Sequence, residues 1–359
     1  MRLHHTGHLI TVAVLFAACS GGSGSSPIAP SATTNQISTP LTFGSPQWVL
    51  IGQVRSSVTT HPVTNAQLTL TTPALGAVTA WDGVFRLKHP GNPGGEIPYV
   101  EFSREGFLTR KVSLPWLQTN ITPWTNVATT QALTMIETLA PFNDTMWRDL
   151  IYGQYDSPDT LQSSYSRRLN NLNPNFYIRL GNEAGQRVVS DIDRDMIRKY
   201  VPKIVPQITG QPYTGRIEEG LTDRDEIGWI TIEVQDIDQN ICGKAYVGRP
   251  NGRIILNRNQ SKCPSHAAIW RCSSSDYVRT ETLTHEIGHA FGLRHTRGRY
   301  DIMWPYAKAT CDRWTFNDQE QYHANLAYQR PRYSQYPDSD PQSVVYQATT
   351  AGNSILVVN

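Results

Sequence analysis

The chain has 359 residues, which is long enough for two domains with separate hydrophobic cores. Hydrophobic residues make up 39% of it and charged residues 17%, a composition that excludes a disordered chain and a coiled coil. The net charge is +2 and acidic and basic residues are interleaved, so no basic patch predicts a nucleic-acid partner.

The N-terminus has the pattern of an export signal. Arg2 precedes an apolar stretch at residues 9–18, which suits a signal peptide and is too short to span a bilayer as a helix. Residues 15–19 read LFAAC and resemble the lipobox of bacterial lipoproteins, in which the cysteine after the small residues is lipidated. Phe16 departs from that pattern, because leucine is usual at its position.

The lipobox resemblance divides the first 46 residues and implies a location. Residues 1–18 are the expected signal peptide, Cys19 is the expected lipidated N-terminus, and residues 19–46, rich in Ser, Gly, Thr and Pro, are a flexible tether. We therefore expect an exported lipoprotein of the bacterial cell envelope, at the outer membrane or the cell surface, which touches a membrane only through its lipid. Secretion without a lipid is the alternative.

The next segment, residues 47–135, is predicted to be all β. Short alternating or β-branched runs separated by turn formers lie at 49–54, 66–71, 84–87 and 99–103. The motifs GQV at 52–54, DGVF at 82–85 and SREGF at 103–107 resemble a carboxypeptidase regulatory-like domain of the transthyretin-like sandwich type. The resemblance implies a small sandwich with a spacer or binding role and no chemistry.

Residues 136–330 mix helical and strand patterns. Residues 191–208 have the apolar spacing of a helix, but Pro202 and Pro206 predict a kink or an early stop. The other predicted elements are a strand at 229–234, a strand pair at 244–247 and 253–257, and helices at 280–291 and 317–329, the second of which Asn317 or Asp318 would cap. Strands followed by helices indicate an α+β domain with a largely antiparallel or mixed sheet. The polar tail at 331–359 has no predicted structure.

Four further cysteines follow the export signal. An even number of cysteines in an exported chain predicts two disulfides, and the sequence leaves all three possible pairings open. None of them stands in a C-x-x-C motif, which argues against a zinc ribbon. The four are Cys242, Cys263, Cys272 and Cys311.

The most informative motif is HEIGHAFGLRH at residues 285–295. Residues four apart lie on the same face of a helix, so His285 and His289 can direct their imidazoles at one metal ion. Gly292 can end the helix in the left-handed conformation and so allow His295 to return as a third ligand. Three histidines leave one position of a tetrahedral Zn²⁺ ion open, which is typical of a catalytic site. Glu286 lies off the histidine axis, where it can reach a zinc-bound water as a general base.

This eleven-residue motif resembles that of the metzincin zinc endopeptidases. Their second landmark is a tight turn with a methionine beneath the metal site, and Met303 in the IMWP sequence at 302–305 fits it. The Met-x-Pro order and the strand pair before the active-site helix resemble the matrixin branch. Astacins and serralysins place a metal-binding tyrosine two residues after the methionine, where this chain has Pro305.

The matrixin resemblance also implies a substrate-binding region. The strand formed by Lys244, Ala245, Tyr246 and Val247 would pair antiparallel with an extended substrate. The wall of the pocket beyond the scissile bond would be formed by Trp304, Pro305 and Tyr306.

The sequence thus predicts a zinc-dependent endopeptidase that hydrolyses peptide bonds of extended protein or peptide substrates. The competing hypothesis is a surface-anchored binding or adhesion protein whose zinc domain is catalytically silent, and the intact Glu286 argues against it. A zinc hydrolase that acts on non-peptide substrates is a third hypothesis. Asp236 and Asp238 could bind a structural Ca²⁺, but their pattern is more typical of a solvated loop.

Overall fold

The computed structural model describes residues 48–70, 75–89, 99–113, 127–128, 133–156, 165–238, 241–259, 276–306, 315–341 and 355–358. The predicted signal peptide, the lipidation site Cys19 and the tether lie outside these residues, as do Cys263, Cys272 and Cys311. Within the described ranges, no helix combines the length and the apolar character needed to cross a membrane.

Within the described ranges, the N-terminal region has eight strands in two sheets. One sheet has the order β4-β1-β7, with β8 also paired to β1, and the other has the order β3-β2-β5-β6. The strands are β1 (Trp48–Ser56), β2 (Gln67–Leu70), β3 (Leu75–Val78), β4 (Val84–His89), β5 (Tyr99–Ser103), β6 (Arg110–Ser113), β7 (Val127–Ala128) and β8 (Leu133–Met135).

Alternating side chains build one core between these two sheets. In β2, Leu68 and Leu70 are buried while Gln67 and Thr69 are exposed, as expected when one face of a strand is covered. Phe85 of β4 and Phe102 of β5 meet edge to face with ring centroids 5.3 Å apart. The two sheets therefore share a hydrophobic core, which has its own set of residues separate from the core of the C-terminal region.

The C-terminal region is a six-stranded mixed sheet with helices. The sheet order is β10-β9-β11-β13-β12-β14, in which the first four strands are parallel and β12 and β14 run antiparallel to their neighbours. The elements are α1 (Asp144–Tyr152), β9 (Asn175–Arg179), α2 (Asp191–Thr209), β10 (Ile217–Gly220), β11 (Trp229–Gln235), β12 (Gly243–Tyr246), β13 (Gly252–Asn257), α3 (Asp276–Ala290), α4 (Asp318–Tyr328) and β14 (Ile355–Val358).

Mixed helices and sheets agree with the α+β prediction, and two local predictions are confirmed. The strand pair ahead of the long motif is β12 with β13, joined antiparallel with Lys244 opposite Ile255. Asn317 caps α4, since its side chain accepts a hydrogen bond from the Glu320 backbone and the Glu320 side chain accepts one from the Asn317 backbone.

The early stop predicted for helix α2 is wrong. The helix continues through Pro202 and Pro206 to Thr209, and Gly210 ends it in the left-handed conformation with φ 68°. Each proline removes one backbone donor, but the apolar face remains buried along the whole helix. The buried face consists of Met196, Ile197, Val201, Ile204, Val205 and Ile208. Burial of this face favours continuation of the helix more than the two lost hydrogen bonds disfavour it.

Residues 330–341, at the start of the tail for which no structure was predicted, lie against both regions. Arg330 pairs with Asp338 at 2.5 Å, and Arg110 of β6 pairs with Asp340 at 2.5 Å and with Asp338 at 3.4 Å. All four side chains are buried. Because each buried charge faces an opposite charge, this segment can lie at the junction without an uncompensated ion.

Candidate metal centre

Three histidines meet at the C-terminal end of helix α3. His285 and His289 lie one turn apart on the helix, which ends at Ala290. Gly292 has φ 97°, which confirms the predicted left-handed turn, and a Cβ there would lie 2.4 Å from the Arg167 carbonyl oxygen. The chain then reverses and His295 joins the other two. All three imidazoles are buried.

The ring nitrogens are arranged as a ligand set. The Nε2 atom of His289 lies 2.9 Å from that of His285 and 3.2 Å from that of His295. Ligands about 2.05 Å from a tetrahedral ion are separated by about 3.3 Å, so these two separations are close to those of zinc ligands. Within the described residues, this is the one group of three or more His, Cys, Asp or Glu side chains whose ligand atoms all lie within 4.8 Å of one another.

Hydrogen bonds to the outer nitrogens fix how each ring is protonated. His285 Nδ1 lies 2.7 Å from the Ile302 carbonyl oxygen, and His289 Nδ1 lies 2.9 Å from the Leu293 carbonyl oxygen. A carbonyl oxygen can only accept, so both Nδ1 atoms carry hydrogen and both Nε2 atoms present a lone pair. Three converging lone pairs repel one another unless a cation lies between them, and neutral imidazoles are ligands that zinc prefers. The residues present therefore fit a zinc ion.

Burial keeps the central histidine in the form that binds metal. Desolvation, reinforced by the neighbouring His285 and His295, holds the pKa of His289 well below its ordinary value. His323 is a useful contrast, because it is also buried but both of its nitrogens bond to backbone groups, Asn143 N–H at 3.0 Å and the Gln319 carbonyl at 2.7 Å. His323 is therefore a satisfied core residue, whereas the histidines of the long motif have ring nitrogens that face one another.

The third histidine has a partner far away in the sequence. His295 Nδ1 lies 2.8 Å from Asp156 Oδ1, across 139 positions of sequence. Asp156 follows helix α1, which Gly153 ends with φ 68° and a backbone hydrogen bond to Asp149. The carboxylate accepts from Nδ1 and so fixes the ring with Nε2 directed at the other histidines. Sequence reasoning missed Asp156, since no local motif marks it.

Glu286 is a buried carboxyl group beside the histidines. It has 0% exposure, and within the described part of the chain neither of its oxygens has a hydrogen-bond partner. Desolvation raises its pKa well above the ordinary value. A Cβ on Gly243 would lie 2.6 Å from Glu286 Oε1, so strand β12 passes directly against this carboxyl group. Leaving a buried carboxyl without a protein partner is unfavourable, which marks it as a functional group.

Met303 lies beneath the two helical histidines. A Cβ on Gly288, between His285 and His289 in sequence, would be 2.5 Å from Met303 Sδ, so the sulfur packs on the helix at this point. The Met303 backbone N–H donates to Glu320 Oε1 at 2.9 Å, and the preceding Ile302 carbonyl fixes His285. The Met303 turn thus supports the metal-binding helix from below. Burial, with Asp301 nearby, raises the pKa of Glu320 to about 7.

Three aromatic side chains lie next to this centre. The Trp304 ring stacks on Tyr155 at 5.7 Å between centroids and contacts Tyr306 at 5.6 Å. Tyr306 is exposed, and Tyr155 is the residue before the partner of His295. We call Tyr155, Trp304 and Tyr306 the aromatic wall. Pro305 lies within it and is half-buried. Two of the three were predicted from the Met-x-Pro motif, whereas Tyr155 had no sequence signal.

The remaining predicted residues are placed by strand β12 and by the loops. Lys244 and Tyr246 are half-buried, while Ala245 and Val247 are buried against the core.

Cys242 is buried just before β12, and its predicted disulfide partners lie outside the described residues. Asp236 is exposed and pairs with Arg258 at 3.0 Å, as a solvated loop residue does. This contact suits the solvated loop, which the sequence favours over a calcium site.

Arg294 is a buried cation that the sequence gave no reason to single out. Its side chain has 0% exposure, and none of its three guanidinium nitrogens has a hydrogen-bond partner within the described ranges. Burial and the nearby Arg167 lower its pKa to about 10. Asp156, the partner of His295, acts in the opposite direction on the Arg294 pKa, so its carboxylate is close enough to interact with this guanidinium.

Comparison with known proteins agrees with this chemistry. The family described as metallo-peptidase family M12B, reprolysin-like, matches residues 190–296, and peptidase M66 matches residues 271–354. Neither match reaches half of the chain, but both include residues of the long histidine motif. The matches and the three-histidine cluster together support a zinc metallopeptidase domain in this chain.

Other comparisons add little. No curated protein matches the chain by sequence. Two similar solved structures are those of a GH20 exo-β-N-acetylglucosaminidase from Vibrio harveyi, one in complex with N-acetylglucosamine and one of an inactive mutant. Each is 10% identical and covers 62% of this chain, and this chain spans 36% of theirs. The TM-scores are 0.19 and 0.16, so these structures carry no argument about the fold of this chain.

Proposed function

We propose that the chain is a zinc-dependent endopeptidase of the metzincin type, with His285, His289 and His295 as ligands and Glu286 as general base. One observation carries the proposal: three buried imidazole lone pairs converge beside a buried carboxyl group that has no hydrogen-bond partner in the described part of the chain. A structural zinc site uses four protein ligands and needs no free base. Three ligands with an adjacent base are the minimum set for hydrolysis.

The chemistry of the residues follows from their positions. When bound, zinc supplies a Lewis acid that polarises a substrate carbonyl and acidifies a water molecule. Glu286 accepts a proton from the attacking water at a carboxylate oxygen, and its desolvated environment makes it a stronger base than a carboxylate in water. Glu286 then delivers that proton to the amide nitrogen as the C–N bond breaks, which restores the carboxylate. Asp156 holds His295 in one orientation throughout.

The metzincin assignment rests on the turn beneath the site. Met303 packs on the helix between the two helical histidines, as the resemblance implies for a Met-turn. The reprolysin-like match supports a metzincin, and the Met-x-Pro order favours the matrixin branch within it. Tyr306 is exposed and its ring contacts that of Trp304, which suits a residue of the pocket wall more than a metal ligand.

The substrate is proposed to be an extended protein or peptide segment. Strand β12 passes against Glu286 at Gly243, so a segment paired to β12 would pass the catalytic carboxyl group. The aromatic wall would then contact side chains beyond the scissile bond. For the N-terminal strands we propose a transthyretin-like sandwich that acts as a spacer, and for Cys19 a lipid anchor in the bacterial cell envelope.

The test is cleavage of a mixed peptide library by the full chain, with and without a zinc chelator. We expect cutting that the chelator abolishes and added zinc restores. A preparation that binds one zinc per chain and cuts no peptide would instead favour a silent binding domain. Cleavage that the chelator leaves unchanged would contradict the proposal.

A further inference from the structure

A strand from the far end of the chain occupies the outer edge of strand β12. Strand β14 pairs antiparallel with β12, with Ile355 opposite Tyr246, Leu356 opposite Ala245, Val357 opposite Lys244 and Val358 opposite Gly243. β14 is the last strand of this sheet, so without it β12 would be the edge strand. An edge strand presents unpaired backbone groups to any extended chain.

The register carries this segment to the catalytic carboxyl group. Val358 lies opposite Gly243, and Gly243 is the residue whose missing Cβ leaves room for Glu286. Antiparallel pairing to β12 is also the binding mode proposed for substrates. The segment and a substrate would therefore need the same backbone donors and acceptors, next to the same carboxyl group.

The sequence of the segment suits this position. Residues 355–358 read ILVV, and β-branched residues favour extended backbone. The segment has no charged residue and no proline, so nothing in it resists strand pairing. The outer edge of strand β12, which passes Glu286, therefore pairs with an extended aliphatic segment.

We propose that residues 355–358 are an intramolecular competitor of substrate at strand β12, and that the same edge selects extended aliphatic segments in substrates. The inference rests on the proposed function. A four-residue strand binds weakly by itself, but attachment to the chain gives it an effective concentration on the order of millimolar. Competition of this kind raises KM and leaves kcat unchanged, because substrate at saturation displaces the segment.

Two variants of the full chain test this competition. Leu356→Pro removes a backbone donor within the strand and should disrupt pairing, and Leu356→Ile is the matched control that keeps an aliphatic strand residue. A third form ends after Pro341 and so retains the buried Asp338 and Asp340 pairs. We expect KM to fall roughly 10-fold in the proline variant and in the shortened form, with kcat unchanged. The isoleucine variant should match the wild type.

A synthetic peptide tests the same interaction between molecules. The peptide SILVVN, residues 354–359, should inhibit the shortened form competitively, and a scrambled peptide of the same composition should not. An equal KM in all four proteins would overturn the proposal, as would inhibition that the scrambled peptide reproduces.

Amide hydrogen exchange gives a readout that does not depend on catalysis. In the Glu286→Gln background, the amides of Gly243 and Ala245 should exchange about 10-fold faster when Leu356→Pro is added, because alternate residues of β12 bond outward to β14 while Lys244 and Tyr246 bond inward to β13. Unchanged exchange would overturn the proposal even if KM changed. If no form cleaves any peptide, the proposed function fails, while the exchange rates still decide whether the segment occupies β12.

Discussion

The two regions of the molecule treat buried polar groups differently. In the N-terminal strands, Thr79 donates its hydroxyl to the Val63 carbonyl at 2.7 Å and accepts from the Ala66 backbone at 2.9 Å. In the C-terminal region, Glu286 is buried with no hydrogen-bond partner among the described residues. An unsatisfied buried polar group costs about 1–3 kcal/mol, and more when charged. The buried Thr79 hydroxyl is satisfied and so is compatible with a stable core. The buried Glu286 carboxyl group is energetically unfavourable and lies at the proposed catalytic position.

Glycines in the two regions show the same contrast. Gly83 has φ 75°, and a Cβ there would lie 2.5 Å from the Val54 carbonyl oxygen, so this glycine allows a turn. At Gly243 the nearest atoms are those of side chains, Glu286 Oε1 at 2.6 Å and Thr282 Cγ2 at 2.9 Å. The first glycine shapes the backbone, and the second makes room for the Glu286 carboxyl group, the proposed general base. Substitutions at these positions should therefore affect different properties.

Removal of a central ligand should have the largest effect. His289→Ala should abolish zinc binding and turnover together, because His289 Nε2 is the atom that faces both other Nε2 atoms. Zinc content by mass spectrometry of the purified protein checks this. His323→Ala is the control, since it removes a buried histidine without removing a ligand, and it should retain zinc. Stoichiometric zinc in His289→Ala would refute the ligand assignment.

Gly243→Ala should affect catalysis and spare the metal. Its methyl group would displace Glu286, and a displacement of about 1 Å can reduce kcat about 100-fold. Gly83→Ala is the matched control: it should lower the melting temperature, because its φ is strained for alanine, and leave kcat unchanged. Steady-state kinetics and calorimetry on both variants separate the two effects. Equal losses of kcat in the two variants would contradict the different roles assigned to Gly243 and Gly83.

Asp156→Ala should weaken zinc binding without abolishing it. Loss of the partner of a metal-binding histidine typically reduces metal affinity about 10- to 100-fold. Asp156→Asn keeps an oxygen acceptor for His295 Nδ1 and should lie between the alanine variant and the wild type. Competition with a chelator of known affinity measures the dissociation constants. An unchanged affinity in Asp156→Ala would show that the Asp156–His295 contact has no role in the metal site.

Glu320 should produce the smallest effect, a pH dependence of stability. Burial and Asp301 raise its pKa from 4.5 to about 7, so the folded state retains this proton over a range in which the unfolded state has lost it. The contribution of Glu320 is then full below about pH 4.5 and is lost as the pH rises to about 7. Denaturant unfolding in the presence of a chelator measures the free energy of unfolding at each pH. This free energy should decline less steeply between pH 4.5 and about 7 in Glu320→Gln than in the wild type. An identical slope in the two proteins would contradict the shift.

The sequence predicted the features that depend on local spacing. His285 and His289 were recognisable because four residues make about one helical turn, and Gly292 because its turn needs a positive φ. The sequence offered Asn317 or Asp318 as the cap of α4, and the structure has Asn317 there. These rules use only neighbours along the chain.

Features that depend on tertiary packing were not predictable in this way. Asp156 reaches His295 across 139 positions, and no short motif encodes that contact. The continuation of helix α2 through Pro202 and Pro206 depends on a buried face that propensity alone does not weigh. The pairing of Ile355–Val358 with β12 joins two strands far apart in sequence, and the polar residues before it gave no sign of it.

The central claim is most directly tested by one comparison, zinc content and peptide cleavage measured on the same samples of wild type and Glu286→Gln. We expect one zinc per chain in both proteins and about a 10²- to 10⁴-fold lower rate in the variant, because the ligands remain and only the proton acceptor is lost. Equal rates in the two proteins, or wild-type protein that binds no zinc, would contradict the account.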